Sequence, residues 1–209
     1  MKKNTSPDSH SNEFTRSELR FLKTLNSPIK IQRYLDSVPY HIGNTSWSPR
    51  RVIAEKTAHC LEGAIFAAAA LRVNGYPPLI VDLEAEQDTD HVIAVFQERG
   101  HWGSIAISNF SGLRFREAVY RSLRELAMSY FADYFNLRGD LSLRRFSQPV
   151  NLSRFDRLNW MTSPDDIWFI AEHLVDIKHT VLIDQSTAKR LSRVDTRSLK
   201  AAKQGYRTQ

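Results

Sequence analysis

The sequence predicts an α+β domain built on a mostly antiparallel sheet, and three observations point there. Between Leu61 and Val73 only Glu62 and Arg72 are charged, the composition of a helix buried on every side. Three short runs rich in β-branched residues follow, PLIVDL at 78–83, HVIAVF at 91–96 and WGSIAIS at 102–108, with turn residues between them. Amphipathic helical patterns flank this block on both sides.

Along the chain, residues 1–12 are polar and aperiodic and are expected to be disordered. Asn12 is placed to cap a helix carrying Phe14, Leu19, Phe21, Leu22 and Leu25. Ser27-Pro28 supplies an N-cap and a first-turn proline for a second helix, which Pro39 ends. The stretch 40–51, with Gly43, Asn44, Ser46, Ser48 and Pro49 around Trp47, reads as loop. Thr57 can cap the buried helix, putting Ala58, His59 and Cys60 in its first turn, and Asn74-Gly75 with Pro77-Pro78 closes it. The strand at 78–83, an acidic loop to Asp90 and an antiparallel hairpin over 91–108 come next. A long helix is expected over 117–136, a strand over 141–146 and a last amphipathic helix over 163–178.

Size and composition bound the function. A chain of 209 residues, 42% hydrophobic and 11% aromatic, has the make-up of one ordinary globular domain, set here at 13–184. The first residues lack the apolar core of a signal peptide, and the longest apolar run, Ala64–Leu71, is too short to span a bilayer, so a cytoplasmic protein with no membrane span is expected. A single cysteine excludes an internal disulfide and any zinc site built on several thiolates. The histidines show no metal-ligand spacing, and no glycine-rich phosphate loop is present, so neither metal nor cofactor is expected. The net charge of +6 comes from residues 185–209, a basic C-terminal tail with seven Lys and Arg against Asp195 alone. A nucleic acid or acidic surface would therefore be met through that tail and not through the balanced domain. Oligomeric state is not encoded in any motif.

The chemistry centres on Cys60. A thiol is a useful nucleophile only as thiolate, and a helix N-terminus together with an imidazolium lowers its pKa. His59 is adjacent, but neighbours on a helix point about 100° apart, which favours His91, at the start of a strand, as the catalytic base. The base needs a third group on its other ring nitrogen. If a three-residue turn joins strands two and three, Gln97 faces His101 and His91 faces Ile107, with Asn109 diagonally across on the same face as His91; a shift of one residue gives that place to Ser108. Trp47, Trp102 and Ser108 are the candidates to line a substrate cleft.

The segments SPIKIQRYLDSVPY, SWSPRRV, AHCLEGAIFAAAALRVNGYPPLIVDL, DHVIAVF and WGSIAISN, within 27–109, resemble the transglutaminase-like cysteine superfamily of papain-like fold, notably its bacterial members. The resemblance covers under half of the chain. It implies a Cys at the N-terminus of a buried helix set against a sheet that carries a His and an Asp or Asn on successive strands. It also implies a thiol-dependent amide or acyl hydrolase or acyl transferase, of protease, amidase or transglutaminase type, working through a covalent acyl-enzyme. The matching positions are Cys60, His91 and Asn109, the third being more commonly Asp in the family. The substrate would be a peptide, a protein or a small amide. The alternative reading is a catalytically inactive member of this fold that serves as a binding module through its cleft or its basic tail.

Overall fold

The computed structural model describes residues 13–208; Asn12, the expected first cap, lies outside them. Helix α1 (Arg16–Thr24) is instead capped by Thr15, whose hydroxyl accepts from the N–H of Glu18 while Glu18 reaches back to the Thr15 N–H. Helix α2 (Pro28–Ser37) starts at the Ser-Pro pair as expected. The region 40–51 is not all loop: Pro49–Glu55 forms helix α3, with the Ser48 hydroxyl accepting from Arg51 N–H and Pro49 in its first turn, the same Ser-Pro signal that opens α2. Helix α4 (Cys60–Val73) has His59 as its N-cap. Thr57 does not cap it, because its hydroxyl donates to Pro39 O at 2.7 Å and ties the approach to α4 to the end of α2.

Among the described residues seven strands form one sheet: β1 (Leu79–Ala85), β2 (His91–Glu98), β3 (His101–Ile105), β4 (Arg116–Tyr120), β5 (Leu143–Ser147), β6 (Val150–Asn151) and β7 (His179–Val181). The order is β4-β3-β2-β1-β5-β7, with β6 also on β1, and every pairing within it is antiparallel. The β2–β3 turn holds two residues, Arg99 and Gly100, both at positive φ (51° and 80°), so Gln97 pairs with Trp102 and Glu98 with His101. That register is one residue away from the pairing of Gln97 with His101 expected from a three-residue loop. A right-twisted hairpin favours the tighter turn.

The helix expected over 117–136 is replaced by strand β4, a short helix α5 (Leu123–Met128) and a single 3-10 turn at Phe131–Asp133. Along β4 the side chains alternate between half-buried and exposed, the period of a strand and not of a helix. Ser122 then caps α5 by accepting from Glu125 N–H. Arg116 fixes the return, its guanidinium over the Tyr130 ring at 4.2 Å and bonded to Asp133 and Gly112 O. Helix α6 (Trp168–Asp176) is shorter than the 163–178 pattern, because the Ser163 hydroxyl accepts from Asp165 N–H and makes a turn of the segment meant to open it. The basic segment contains α7 (Gln185–Ala188) and α8 (Thr196–Ala202).

The sheet separates two apolar layers. Helix α4 lies on one face against Ile80, Val92, Ala94, Phe96, Ile105 and Ile107. Val81, Leu83, Ile93 and Val95 point to the other face and meet Leu126, Ala127, Tyr130 and Tyr134. Each fully buried Ile, Leu or Phe contributes roughly 1.5–3 kcal/mol. Ala64 through Leu71 are all inaccessible to solvent, which explains a helix without a polar face, and the small Ala67–Ala70 side chains let the sheet approach. Among the described residues no helix is long and apolar enough to cross a membrane.

Candidate active site

Cys60 is the first residue of α4 and is half-buried. Its Sγ lies 3.9 Å from the Asp90 carbonyl oxygen, at the point where the acidic loop enters β2. Burial pushes the thiol pKa up, but hydrogen bonds from the His59 and His91 side chains, and the charge of both rings, hold it well below the ordinary thiol value. The helix N-terminus acts in the same direction.

His91 opens β2 and is buried, its ring edge-on to Tyr130 and Tyr134. Its Nε2 donates to the Leu113 carbonyl at 2.9 Å, which leaves Nδ1 for the sulfur. Tyr134 braces the same corner by donating to Leu83 O (3.1 Å) and Thr89 O (2.8 Å), and its phenol is kept neutral mainly by burial.

His59 reaches the thiol as well. As N-cap it has an extended backbone (φ −94°, ψ −175°), so the 100° step between helical neighbours does not apply and its ring turns toward Cys60. Nε2 bonds to Thr45 O at 2.7 Å. Burial lowers the His59 pKa, yet the hydrogen bond to Cys60, the negative charges of Cys60 and Glu62 and the Thr45 carbonyl raise it to about 9. Glu62, fully buried, gathers this loop: it accepts from the Thr45 hydroxyl (2.6 Å), Trp47 N–H (3.1 Å) and His59 N–H (3.0 Å).

Tyr40 completes the surroundings of the sulfur. A parallel bridge between Tyr40 and Ala58 and the bond from His41 N–H to Ala58 O (2.9 Å) lay it beside the start of α4. Its hydroxyl is hydrogen-bonded to the backbone and side chain of Cys60, and burial followed by the Cys60 charge raises its pKa so that it stays a phenol. Neither Tyr40 nor the role of His59 is visible from periodicity. A Tyr just past a helix-ending proline reads as loop, and the long-range Tyr40–Ala58 bridge that brings it to Cys60 has no local signature.

The third position differs from the expectation. Asn109 is not bonded to His91; its carboxamide is paired with the backbone of Arg207. β3 ends at Ile105 and the register is shifted, so residues 106–113 leave the sheet and bring the Leu113 carbonyl, not a side chain, to His91. Ser108 does not take that place either, its hydroxyl accepting from Phe110 N–H. Cys60, His91, Ser108 and Asn109 all border one cleft of about 430 Å³, with Tyr40 and Tyr134 in its wall. Trp47 and Trp102 are not in that wall: Trp47 lies against the His41 ring at a tilt of 40° with Arg51 over its own ring, and Trp102 packs into the second apolar layer. Among the described residues no group of three His, Cys, Asp or Glu side chains is placed to hold a metal ion. No protein-family model matches the chain, and no curated protein matches it.

Proposed function

We propose that the protein is a thiol-dependent acyl hydrolase or acyl transferase with a transglutaminase-like, papain-like core. The observation that carries this reading is a half-buried Cys60 at the first position of a buried helix, hydrogen-bonded by two histidines and open to a cleft. The Cys60 thiolate attacks an amide carbonyl, forming a C–S bond and a tetrahedral oxyanion that the Tyr40 hydroxyl, itself held by the Cys60 backbone, receives. The intermediate collapses by breaking the C–N bond as His91 gives its proton from Nδ1 to the leaving amine. Water, or an amine in the transferase case, then adds to the thioester with His91 taking its proton, and loss of the acyl product restores the thiolate. Leu113 O holds the His91 ring through Nε2 in both halves. His59, pinned by Thr45 and Glu62, supplies the standing positive charge that keeps the sulfur ionised.

The test is the rate of Cys60 alkylation by iodoacetamide against pH, in the parent protein and in His91→Ala. The expected result is a rate that persists well below pH 8 and a shift toward ordinary thiol behaviour in the variant. A reaction that occurs only after unfolding would mean an inert core cysteine and would refute the reading.

A further inference from the structure

Asn109 makes an unusual pair of bonds. Its Nδ2 donates to Arg207 O and its Oδ1 accepts from Arg207 N–H, both at 2.8 Å. Both polar atoms of the carboxamide are thus engaged by the main chain of one residue, the exchange by which antiparallel strands recognise each other. Such a grip reads an extended backbone and ignores its side chain. Beside it, Tyr206 sets its ring edge-on to Phe110 at 5.2 Å, and Phe110 in turn meets Phe135 at 6.0 Å, an aromatic seat for a flanking side chain. Tyr206, Arg207 and Thr208 border the same cleft as Cys60 and His91. Upstream, α8 is fastened by Ser111, whose N–H and hydroxyl donate to Ala202 O (3.0 Å) and Ala201 O (3.1 Å). The fastening is therefore separate from the grip.

We infer that the Cys60 cleft takes an extended peptide, held through its main chain by Asn109 and seated on Phe110, and that the segment Tyr206–Thr208 occupies this subsite as a tethered competitor. The inference rests on the acyl chemistry proposed for Cys60 and narrows its substrate from amides in general to peptides. A small amide can pair with the carboxamide but has no flanking side chain for the Phe110 seat. A tether as short as the one from α8 gives an effective concentration of around millimolar, so the segment competes reversibly with substrate and need not bind tightly.

The experiment compares the full chain with a chain lacking residues 206–209, using a bulky maleimide dye on Cys60 and the capped peptide acetyl-Gly-Tyr-Arg-Thr-amide. Removing the segment is expected to speed dye attachment about tenfold, an occupancy effect of a millimolar tether. The peptide should slow it again and shift the Asn109 side-chain amide NMR signals of the shortened chain; the slowing should be lost in the shortened chain carrying Asn109→Ala. In the full chain, Arg207→Ala should change nothing, because only its backbone is used. Arg207→Pro, which removes the N–H given to Asn109, should behave like the deletion. Equal dye rates in the full and shortened chains would overturn the inference, and so would a faster rate without peptide binding, since the segment would then only shield the thiol. Failure of the Cys60 chemistry shows separately, as slow iodoacetamide reaction with ordinary thiol pH dependence in both chains, while the NMR shifts still report peptide binding.

Discussion

A free cysteine is only a few per cent thiolate at pH 7, and Cys60 departs from this because two rings converge on its sulfur. The linked equilibria have opposite signs. His59, raised to about 9, contributes stability that is complete below its unfolded pKa of about 6.5 and is lost as pH rises through about 9. Cys60, lowered in the fold, contributes stability that is complete above its unfolded pKa of about 8.5 and is lost as pH falls through the lowered value. In the window where the folded thiol is ionised with His59 still protonated, while the unfolded pair is the reverse, both states hold one proton and the two slopes cancel. The pair's contribution to stability should therefore be flat across that window in the parent protein. Cys60→Ser removes the thiolate together with the hydrogen bond and charge that do most to raise His59, so both slopes go at once; a chemical-shift titration of the His59 ring should show its pKa falling from about 9 in the parent toward the ordinary value of about 6.5 in the variant, and an unmoved titration would mean that the thiolate does not set it. Tyr40→Phe separates binding of the oxyanion from activation of the thiol. Turnover of an amide substrate should fall about 10²–10³-fold, as for loss of one oxyanion donor, with iodoacetamide alkylation slowed far less, because the His59 and His91 bonds to the sulfur remain.

At the scale of elements, the site depends on how closely α4 meets the sheet. A Cβ at Gly63, three residues past the thiol, would collide with the Cγ2 of Ile107, which is itself buried. Gly63→Ala should therefore cost about 1–3 kcal/mol, the range for overpacking a core, and move the start of α4 relative to β2, seen as a lower denaturation midpoint and slower alkylation. The same elements show what a sequence can disclose. Helix α4 and the three strands after it are legible because burial on both sides leaves an unbroken apolar signature, and Cys60 and His91 are legible because each sits at the first residue of such an element. The region 117–136 misleads because Leu123, Leu126, Ala127 and Tyr130 have helical spacing while Arg116–Tyr120 is drawn into the sheet by pairing with β3, a long-range contact that local pattern does not encode. Asn109 misleads for a related reason: a one-residue difference in turn length reverses which face each side chain takes, and the group on His91 is a backbone carbonyl, for which no residue type is a marker.

For the whole molecule, Cys60 and His91, the pair proposed to be catalytic, are brought together across the sheet. Cys60 rides on α4 in one apolar layer, whereas the His91 ring lies against Tyr130 and Tyr134 of the other. The layers share their strands, since alternate residues of β2 face opposite sides: Val92, Ala94 and Phe96 toward α4, Ile93 and Val95 away from it. Loss of either layer exposes one face of the same sheet and removes one half of the site, so the two cannot melt independently without leaving a large apolar surface in water. Single-tryptophan variants test this, because Trp160 is fully buried in the α4 layer and Trp102 packs on the other. Urea midpoints from a variant that keeps Trp160, from one that keeps Trp102, and from far-ultraviolet circular dichroism should agree within each variant. The concentration at which Cys60 loses its low-pH reactivity should coincide with them. An earlier loss of reactivity, with both tryptophans still native, would mean that the segment around Leu113 and the His91 ring opens locally, and would place the control of the thiol in that segment and not in the fold as a whole.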